Sequence, residues 1–473
     1  MQKQNFLNRV IVVATVTLLA VSFTTFAWAQ ESTGRAIKGA TPQEVSPRTP
    51  QAGYTYTPES SIERPEDLGL RAHTNYVLRS EDGSKPVGLA APRSLQVSSN
   101  FSPDAIEEAE TPASMGCLYV QSPNNVKTGC VPNSDSGTKG PSSAGWGAIA
   151  LVDAYDNPDA ASDLVTFDKY WGLPAAKFIK LYANGNGDCT TPAANAGWAG
   201  EESLDIEWAH VFAPKAEIIL VEACSNSDTD LFYAESVAIQ YVQDNYGGGD
   251  VSNSWGGGEF SSESSYDFTF AGANYSEYGA PVAVFASAGD SGIGAAYPSV
   301  NPWLTSAGGT SVLRNSNGTF NSESCWGGSG GGNSGYEKTG ESTDYQYGIF
   351  GGGAARATPD FAFNADPNSG VWVYSQYGFG GWTPVGGTSV ASPSLAGIAN
   401  RAGNKLSSWF GYDVDAYGYF TNGENNLLYA QLPAAKAYST NFYDITTGSN
   451  GGTVTYSWDY CTGVGSPRGL LGK

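Results

Sequence analysis

The stretch Gly386-Gly387-Thr388-Ser389-Val390-Ala391-Ser392-Pro393 organises the chain. Glycines precede Ser389, and a helical run from Leu395 to Arg401 follows it. This order predicts a tight turn that leads into a helix, with the Ser389 hydroxyl exposed at the helix N-terminus. A nucleophilic serine needs such a position, but an ordinary glycine-rich turn before a core helix has the same pattern. The octapeptide alone leaves both interpretations open.

The composition is that of an acidic chain with few charges. Its 473 residues include 46 acidic and 24 basic side chains, for a formal net charge of -22, and only 15% of residues are charged. Nucleic-acid phosphates favour a basic surface, so this balance argues against a nucleic-acid partner. An acidic medium would neutralise many of the carboxylates. The many glycine, polar and aromatic residues are typical of a loop-rich globular protein rather than a disordered one.

Residues 1–29 have the pattern of a secretory signal peptide. A basic start is followed by an apolar run over Val10 to Ala20 and by the small-x-small site Ala27-Trp28-Ala29. The apolar run is shorter than the ~20 residues that a membrane-spanning helix needs, and no later segment is long enough. We therefore expect a secreted protein, extracellular or periplasmic, that begins at Gln30 and has no membrane contact after cleavage of the signal.

The six cysteines suit an oxidising compartment. None forms a Cys-x-x-Cys pair, which argues against a zinc ribbon. Nearness in the sequence favours Cys117 with Cys130 and Cys189 with Cys224, but six cysteines allow fifteen pairings and the sequence does not choose among them.

The mature chain divides into a leader and a folded region. Residues 30–115 are rich in proline and serine and read as a mostly extended leader or short propeptide, with a short helix predicted over 103–110. From 116 to 473 strand and helix patterns alternate, with strands predicted over 147–152, 177–182, 216–223, 250–254 and 281–287 and helices over 201–212, 231–245 and after Ser389. This alternation predicts an α/β three-layer domain, with a mostly parallel sheet, helices on both faces and active residues at the carboxyl ends of strands.

A nucleophilic serine needs a base, and a histidine usually fills that role. The only two histidines are His73, a surface residue of the leader by our interpretation, and His210. At about 100° per residue, the helix over 201–212 places Glu201 and Asp205 on one face together with bulky apolar side chains. His210 falls on the opposite face.

Glu201 and Asp205 are the alternative candidates for the base. Two half-buried carboxyls close together share a proton, which raises the pKa of one of them. A glutamate in that state can act as a general base in acid, where a histidine is protonated. Their positions are also compatible with the solvated border of the helix face. The serine motif and the lack of a convincing histidine favour the catalytic interpretation.

Three motifs in this order resemble the sedolisins, the serine-carboxyl peptidases of peptidase family S53, which have a subtilisin-like fold. They are the segment from Glu201 to Glu207 followed by Ala213-Pro214, the segment from Ser287 to Gly292, and the Ser389 octapeptide. The resemblance covers about residues 146–469. It implies that Ser389 is the nucleophile, Glu201 the general base, Asp205 its partner and Asp290 the oxyanion residue.

The chemistry of the tetrahedral intermediate gives a separate reason to assign the oxyanion role to Asp290. The oxygen of a tetrahedral intermediate needs hydrogen-bond donors, so an ionised carboxylate would repel it and a protonated one would stabilise it. The resemblance therefore implies an endopeptidase that acts in acid through an acyl-enzyme, with an exopeptidase left open. The stretch from Ser254 to Gly258 resembles the substrate-binding strand of the family, which implies that a peptide substrate adds there as an antiparallel strand. Without the family, Asp290 reads equally well as the cap of a Gly-Asp-Ser-Gly turn.

The C-terminal segment resembles the calcium site of the family. The resemblance implies one structural Ca²⁺ ion, held by the side chains of two aspartates and by three backbone carbonyls, from Asp444, Asp459, Ile445, Thr455 and Ser457. Thr455 and Ser457 stand where the family usually has glycine. Two loop aspartates without a metal remain the alternative.

Two other functions are also compatible with the sequence. A subtilisin-type triad of Asp153, His210 and Ser389 has the right chain order but lacks the usual His-Gly-Thr-His context. A catalytically inactive, secreted binding protein could use the same scaffold, although every catalytic position is present. For the enzyme we expect protein or peptide substrates and a monomer. The leader is too poor in apolar residues for the large folded prodomain of the family, so its inhibitory or folding role is a hypothesis.

Overall fold

The computed structural model describes residues 54–80, 82–90, 109–120, 130, 144–184, 189–271, 282–316, 318–338, 345–351, 353–403, 412–414, 420–432 and 435–473. These residues belong to one compact unit, Val45–Lys473. The predicted signal peptide lies outside them, as does nearly all of the short helix predicted over 103–110. Within them, no helix is long and apolar enough to cross a membrane.

Strands and helices alternate through the folded region, as the sequence predicted. The strands are β1 (Tyr54–Tyr56), β2 (His73–Thr74), β3 (Val77–Ser80), β4 (Ala148–Ala154), β5 (Lys177–Ala183), β6 (Glu217–Ala223), β7 (Gly249–Asn253), β8 (Trp255–Gly258), β9 (Val282–Ser287), β10 (Ala296–Tyr297), β11 (Leu304–Arg314), β12 (Phe320–Cys325), β13 (Gly332–Lys338), β14 (Ala355–Thr358), β15 (Phe361–Asn364), β16 (Val371–Ser375), β17 (Gly381–Gly386), β18 (Tyr412–Val414), β19 (Phe420–Asn422), β20 (Phe442–Tyr443) and β21 (Ser466–Pro467). The helices are α1 (Pro112–Tyr119), α2 (Ala160–Trp171), α3 (Ala196–Phe212), α4 (Asp228–Tyr246), α5 (Asp267–Ala271), α6 (Tyr347–Phe350), α7 (Gln376–Phe379), α8 (Thr388–Gly403), α9 (Gly423–Tyr429) and α10 (Ala435–Asn441).

The central sheet has the strand order β12-β11-β9-β7-β4-β6-β5, with β15 beside β11. All of its pairings are parallel except that of β11 with β12. The carboxyl ends of β7 and β9 therefore meet at one edge of the sheet. This confirms the predicted α/β fold with a mostly parallel sheet.

Helices cover both faces of this sheet. Alternate residues of a strand point to opposite faces. Ile149 and Leu151 of β4 face an apolar core shared with α3 and α8, whereas Ala150 and Val152 face a second core shared with α4. The three layers follow from apolar side chains on both faces of the sheet, each of which is covered by helices.

Helix α3 begins earlier than the predicted boundary at Glu201. The side chain of Asn195 caps it by accepting hydrogen bonds from the N–H groups of Gly197 (2.9 Å) and Trp198 (3.3 Å). The helix packs against α8, α2 and α7, and every residue from Trp198 to Phe212 is buried. Its carboxylates lie in the protein interior rather than at a solvated border.

Part of the predicted leader is paired into the folded region. Strand β3 lies between β1 and β17, and β2 pairs with β8. The predicted boundary at residues 115 and 116 falls inside α1, which begins at Pro112 and is capped by Thr111. Strand pairing with partners far along the chain, which no local pattern reveals, explains the difference. The inhibitory or folding role of the leader stays a hypothesis.

All six cysteines form disulfides. The pairs are Cys117–Cys130, Cys189–Cys224 and Cys325–Cys461. The two pairings that sequence nearness favoured are confirmed.

Candidate active site

Ser389 lies in the first turn of α8, directly after the turn that leaves β17. The turn requires glycine at 387, where φ is +107° and a β-carbon would lie 2.2 Å from the Asn75 carbonyl oxygen. Ser389 has 0% of its surface exposed. The prediction of an exposed hydroxyl is wrong, because leader residue Asn75 lies against the turn and the Ser389 N–H donates to its carbonyl (2.9 Å).

The Ser389 hydroxyl is bonded to a glutamate. Its Oγ donates to Oε2 of Glu201 across 2.8 Å, and the carbonyl oxygen of Ser254 lies 3.2 Å from the same Oγ. Glu201 comes from α3, which packs directly against α8. The two side chains are fully buried. The structure thus brings the predicted nucleophile and the predicted base into contact.

Glu201 belongs to a cluster of buried carboxyls with Asp205 and Asp153. Asp205 Oδ1 accepts a hydrogen bond from the Ser254 hydroxyl (2.8 Å). Within the described chain, Glu201 Oε1, Asp205 Oδ2 and both Asp153 oxygens have no hydrogen-bond partner. Burial raises the pKa of all three carboxyls well above its usual value, and repulsion by Asp153 adds to the rise at the other two. The cluster therefore holds protons well above the usual carboxyl range.

Asp290 follows β9 and faces the Ser389 turn. Its Oδ1 accepts hydrogen bonds from the Thr388 N–H (2.7 Å) and hydroxyl (2.8 Å). Its Oδ2 is buried and has no partner among the described residues. Burial raises the pKa of Asp290 to about 7, against the opposing effect of the Thr388 bonds. Below that pH, Oδ2 is the oxygen on which a donated proton can reside.

His210 belongs to a different environment. Its Nε2 lies 2.8 Å from the Pro174 carbonyl oxygen and 3.4 Å from Asp168 Oδ1. Asp153 makes no hydrogen bond to it within the described chain. The structure does not bring Asp153, His210 and Ser389 together as a triad.

Sequence comparison points to one group of peptidases. Kumamolisin from Bacillus sp. (strain MN-32) is 30% identical to the chain over 350 residues, which make up 68% of this chain and 58% of kumamolisin. Sedolisin from Pseudomonas sp. (strain 101) is 27% identical over 180 residues, 36% of this chain and 28% of sedolisin. The chain belongs to the sedolisin family.

Structural comparison agrees with this assignment. A complex of Pseudomonas sedolisin, a serine-carboxyl proteinase, with two molecules of pseudo-iodotyrostatin has a TM-score of 0.58 and 20% sequence identity over 76% of this chain and 96% of that one. This likeness confirms the subtilisin-like fold. No family model matches the sequence. The chain spans little more than half of kumamolisin and less than a third of sedolisin.

The expected calcium loop of this sedolisin-family chain is folded around Asp444. Its Oδ1 accepts hydrogen bonds from the Tyr438 hydroxyl (2.7 Å) and from the Ser457 N–H (3.0 Å). Ser457 has a φ of 73°, in the left-handed region that favours glycine. The serine thus adopts the backbone conformation expected of the glycine that the family usually has there.

The other expected ligands add further oxygen atoms. Asp459 Oδ1 accepts from the N–H groups of Cys461 and Thr462. The carbonyl oxygens of Ile445, Thr455 and Ser457 accept no backbone hydrogen bond within the described chain. The same part of the chain has no cluster of three or more acidic, histidine or cysteine ligands, but the expected set has only two carboxylates. Two carboxylates and three available carbonyls fit a hard cation such as Ca²⁺.

Two residues, Thr388 and Asn75, touch the site without having been predicted there, and Asp153, a candidate only for the alternative triad, has a different place in it. Thr388 holds Asp290, Asp153 joins the carboxyl cluster, and Asn75 covers Ser389. Thr388 lies within the Ser389 octapeptide, and Asp153 was a candidate for the alternative triad, so the sequence contained a usable signal for both. Asn75 had no such signal, because its position depends on pairing with strands far away in the sequence.

Proposed function

We propose that this chain is a secreted serine-carboxyl endopeptidase that hydrolyses peptide bonds in acid. The observation that carries the proposal is the 2.8 Å hydrogen bond from Ser389 Oγ to Glu201 Oε2, inside a buried carboxyl cluster. A serine that donates to a glutamate has a base that still functions in acid, where histidine does not.

In the proposed mechanism, Glu201 accepts the Ser389 proton as Oγ attacks the substrate carbonyl. The Ser389 N–H and protonated Asp290 Oδ2 stabilise the oxyanion. Glu201 then gives its proton to the leaving amine. It later takes a proton from the water that hydrolyses the acyl-enzyme. Asp205 and Asp153 keep a shared proton near Glu201 through this cycle.

The substrate is proposed to be an extended polypeptide. The edge of β8 pairs in the antiparallel sense with β2, which supports binding of a peptide as an added strand. Such binding uses backbone groups on both sides of the cleaved bond and favours an endopeptidase. A monomer suffices, since the described chain supplies every proposed catalytic group.

The acid dependence follows from Asp290. Its pKa of about 7 means that it donates to the oxyanion below this pH and loses that ability as the pH rises through it. The first ionisation within the cluster of Glu201, Asp205 and Asp153 sets the acid limit, because one carboxyl must be ionised to accept the serine proton while the others keep theirs. We expect highest activity at roughly pH 3 to 5.

A structural Ca²⁺ ion is part of the proposal. The carboxylates of Asp444 and Asp459 and the carbonyls of Ile445, Thr455 and Ser457 would hold it. The ion would supply a fixed positive charge that stabilises the loop. It has no part in the chemical steps.

Secretion is supported by the signal pattern over residues 1–29 and by the three disulfides, which persist in oxidising compartments. We propose an extracellular or periplasmic location.

The test compares the purified protein with its Ser389→Ala and His210→Gln variants on an acid-denatured protein. Serine-dependent hydrolysis in acid that survives in His210→Gln is expected. Loss of activity in His210→Gln with an optimum near neutrality would favour the triad. Absence of hydrolysis at every pH, even after removal of the leader, would favour an inactive binding protein.

A further inference from the structure

We infer that the leader is the first substrate of this enzyme, and that the enzyme cleaves its own chain between Asn75 and Tyr76. The inference rests on the proposed peptidase function. It assigns a processing site from the contacts of the leader strand with the catalytic residues.

The leader lies in the cleft as an added antiparallel strand. His73 pairs with Gly256 and Thr74 with Trp255, both in β8. The register continues to the next residue, since the Asn75 N–H donates to the Ser254 carbonyl (3.2 Å). A peptide substrate bound by strand addition makes the same kind of backbone contacts.

The carbonyl of Asn75 occupies the place of a reacting carbonyl. Its oxygen accepts the Ser389 N–H (2.9 Å), which is one of the two proposed oxyanion donors. A β-carbon at Gly387 would lie 2.2 Å from this oxygen and 2.6 Å from Asp290 Oδ2, so both oxygens border the same glycine. The second proposed oxyanion donor, Asp290 Oδ2, therefore lies near the Asn75 carbonyl oxygen. The Asn75–Tyr76 bond is the leader bond presented to the nucleophile.

The Asn75 side chain fills a buried pocket beside Ser287, in which its Oδ1 has no hydrogen-bond partner among the described residues. Only 1% of the residue is exposed, and its Nδ2 donates to the Ser287 hydroxyl across 2.7 Å. Ser287 ends β9, shortly before Asp290. A hydroxyl at the bottom of this pocket favours an amide side chain over an apolar one, because an apolar group would leave it without a partner.

The chain after the bond is held on the other side of the cleft. The Tyr76 hydroxyl donates to the Gly197 carbonyl (2.8 Å), and its ring packs edge-on against Phe379 at 5.9 Å. Val77–Ser80 then forms β3, paired with β17. Tyr76 and the residues after it therefore stay with the enzyme after cleavage, as its new N-terminus.

The chemistry is ordinary peptide hydrolysis within one chain. Ser389 Oγ forms an ester with the Asn75 carbonyl carbon while the bond to the Tyr76 nitrogen breaks. The Ser389 proton passes through Glu201 to that nitrogen. Water then hydrolyses the ester, which leaves a carboxyl group on Asn75 and restores the Ser389 hydroxyl. One water molecule is consumed.

The main experiment shifts the purified full-length protein and its Ser389→Ala variant to pH 4 and identifies the N-termini by mass spectrometry. We expect Tyr76 as the new N-terminus of the unchanged enzyme, formed at a rate independent of protein concentration, and no such cleavage in the variant. A different N-terminus would overturn the inference, as would cleavage in Ser389→Ala alone in solution.

A parallel assay on an acid-denatured protein separates this inference from the proposed function. Hydrolysis of that protein by an enzyme whose Asn75–Tyr76 bond stays intact overturns only the processing site. If neither the leader nor the denatured protein is cleaved, both proposals fail.

A peptide assay tests the pocket. The processed enzyme should cleave a peptide of residues 70–80 between Asn and Tyr, with kcat/KM about tenfold higher than for the same peptide with Asn75→Leu. The Ser287→Ala enzyme should lose most of this preference. Equal cleavage of both peptides by the unchanged enzyme would contradict the assignment of Ser287.

Discussion

Among the regions of the described chain that bury carboxylates, two do so in opposite ways. In the carboxyl cluster of Glu201, Asp205 and Asp153, oxygens lack partners within the described chain and the pKa values are raised by burial. Asp360 is equally buried, but its two oxygens accept hydrogen bonds from the Arg356 guanidinium, the Ser306 N–H (2.7 Å) and the Tyr429 hydroxyl (2.8 Å).

This difference in hydrogen bonding distinguishes a catalytic carboxyl cluster from a structural carboxylate. The fully paired carboxylate of Asp360 joins β11, β14 and α9 through these contacts. An unpaired buried carboxyl is costly to ionise, so it holds a proton and can exchange it with a neighbour. Burial alone therefore does not identify a catalytic carboxyl, whereas the bond from the Ser389 hydroxyl to Glu201, which has no other hydrogen-bond donor in the described chain, supports a catalytic role.

The largest expected effect is at Glu201. Glu201→Gln keeps the size of the side chain and removes the base, so kcat should fall about ten-thousandfold. The free energy of unfolding at pH 4 should change little, because the amide keeps the side-chain volume and removes a buried carboxyl that has few hydrogen-bond donors. Steady-state kinetics and urea unfolding measure the two. Retained activity would remove Glu201 from the mechanism.

Removal of the cation that pairs with Asp360 should lower stability and leave catalysis unchanged. Arg356→Met leaves the Asp360 charge buried without its cation, and should lower the free energy of unfolding by about 3 to 5 kcal/mol at pH 7. The kcat of the remaining folded protein should be unchanged. A large fall in kcat without loss of stability would erase the distinction between the two regions.

Asp290 is intermediate between the carboxyl cluster and Asp360. One of its oxygens accepts hydrogen bonds from Thr388, and the other has no partner among the described residues. Asp290→Ala should lower kcat about a hundredfold to a thousandfold through loss of an oxyanion donor. Asp290→Asn keeps a neutral donor that cannot ionise, so activity should fall less and should no longer decline as the pH rises through about 7. An unchanged alkaline limb in Asp290→Asn would assign that limb to another group.

The smallest expected effect is at the proposed calcium site, where Asp444 and Asp459 would hold the cation. Calcium at a hundredfold excess over its Kd should stabilise the fold by about 2.7 kcal/mol, and chelation should remove this gain. Thermal unfolding with calcium or EDTA measures it, with the Asp444→Asn, Asp459→Asn double variant as the control. Equal calcium response of that variant would place the ion elsewhere.

The sequence predicted those features that depend on local pattern. The parallel strands, the helix that carries Glu201 and Asp205, and the serine turn all have short-range signals. Helix α3 starts earlier than predicted because the Asn195 cap overrides two glycines in its first turns. The position of Asn75 beside Ser389 could not be predicted from the sequence, because β2 is short and its partner strand β8 is distant in sequence. The burial of Ser389 was missed for the same reason.

The central claim is that a glutamate, and not a histidine, activates Ser389. The most direct measurement is the pH profile of hydrolysis of an acid-denatured protein by the purified enzyme beside its Ser389→Ala variant. Activity that is greatest at roughly pH 3 to 5, declines through about pH 7 and is absent in the variant is the predicted result. Activity that rises through pH 7 and is greatest above it would contradict the claim.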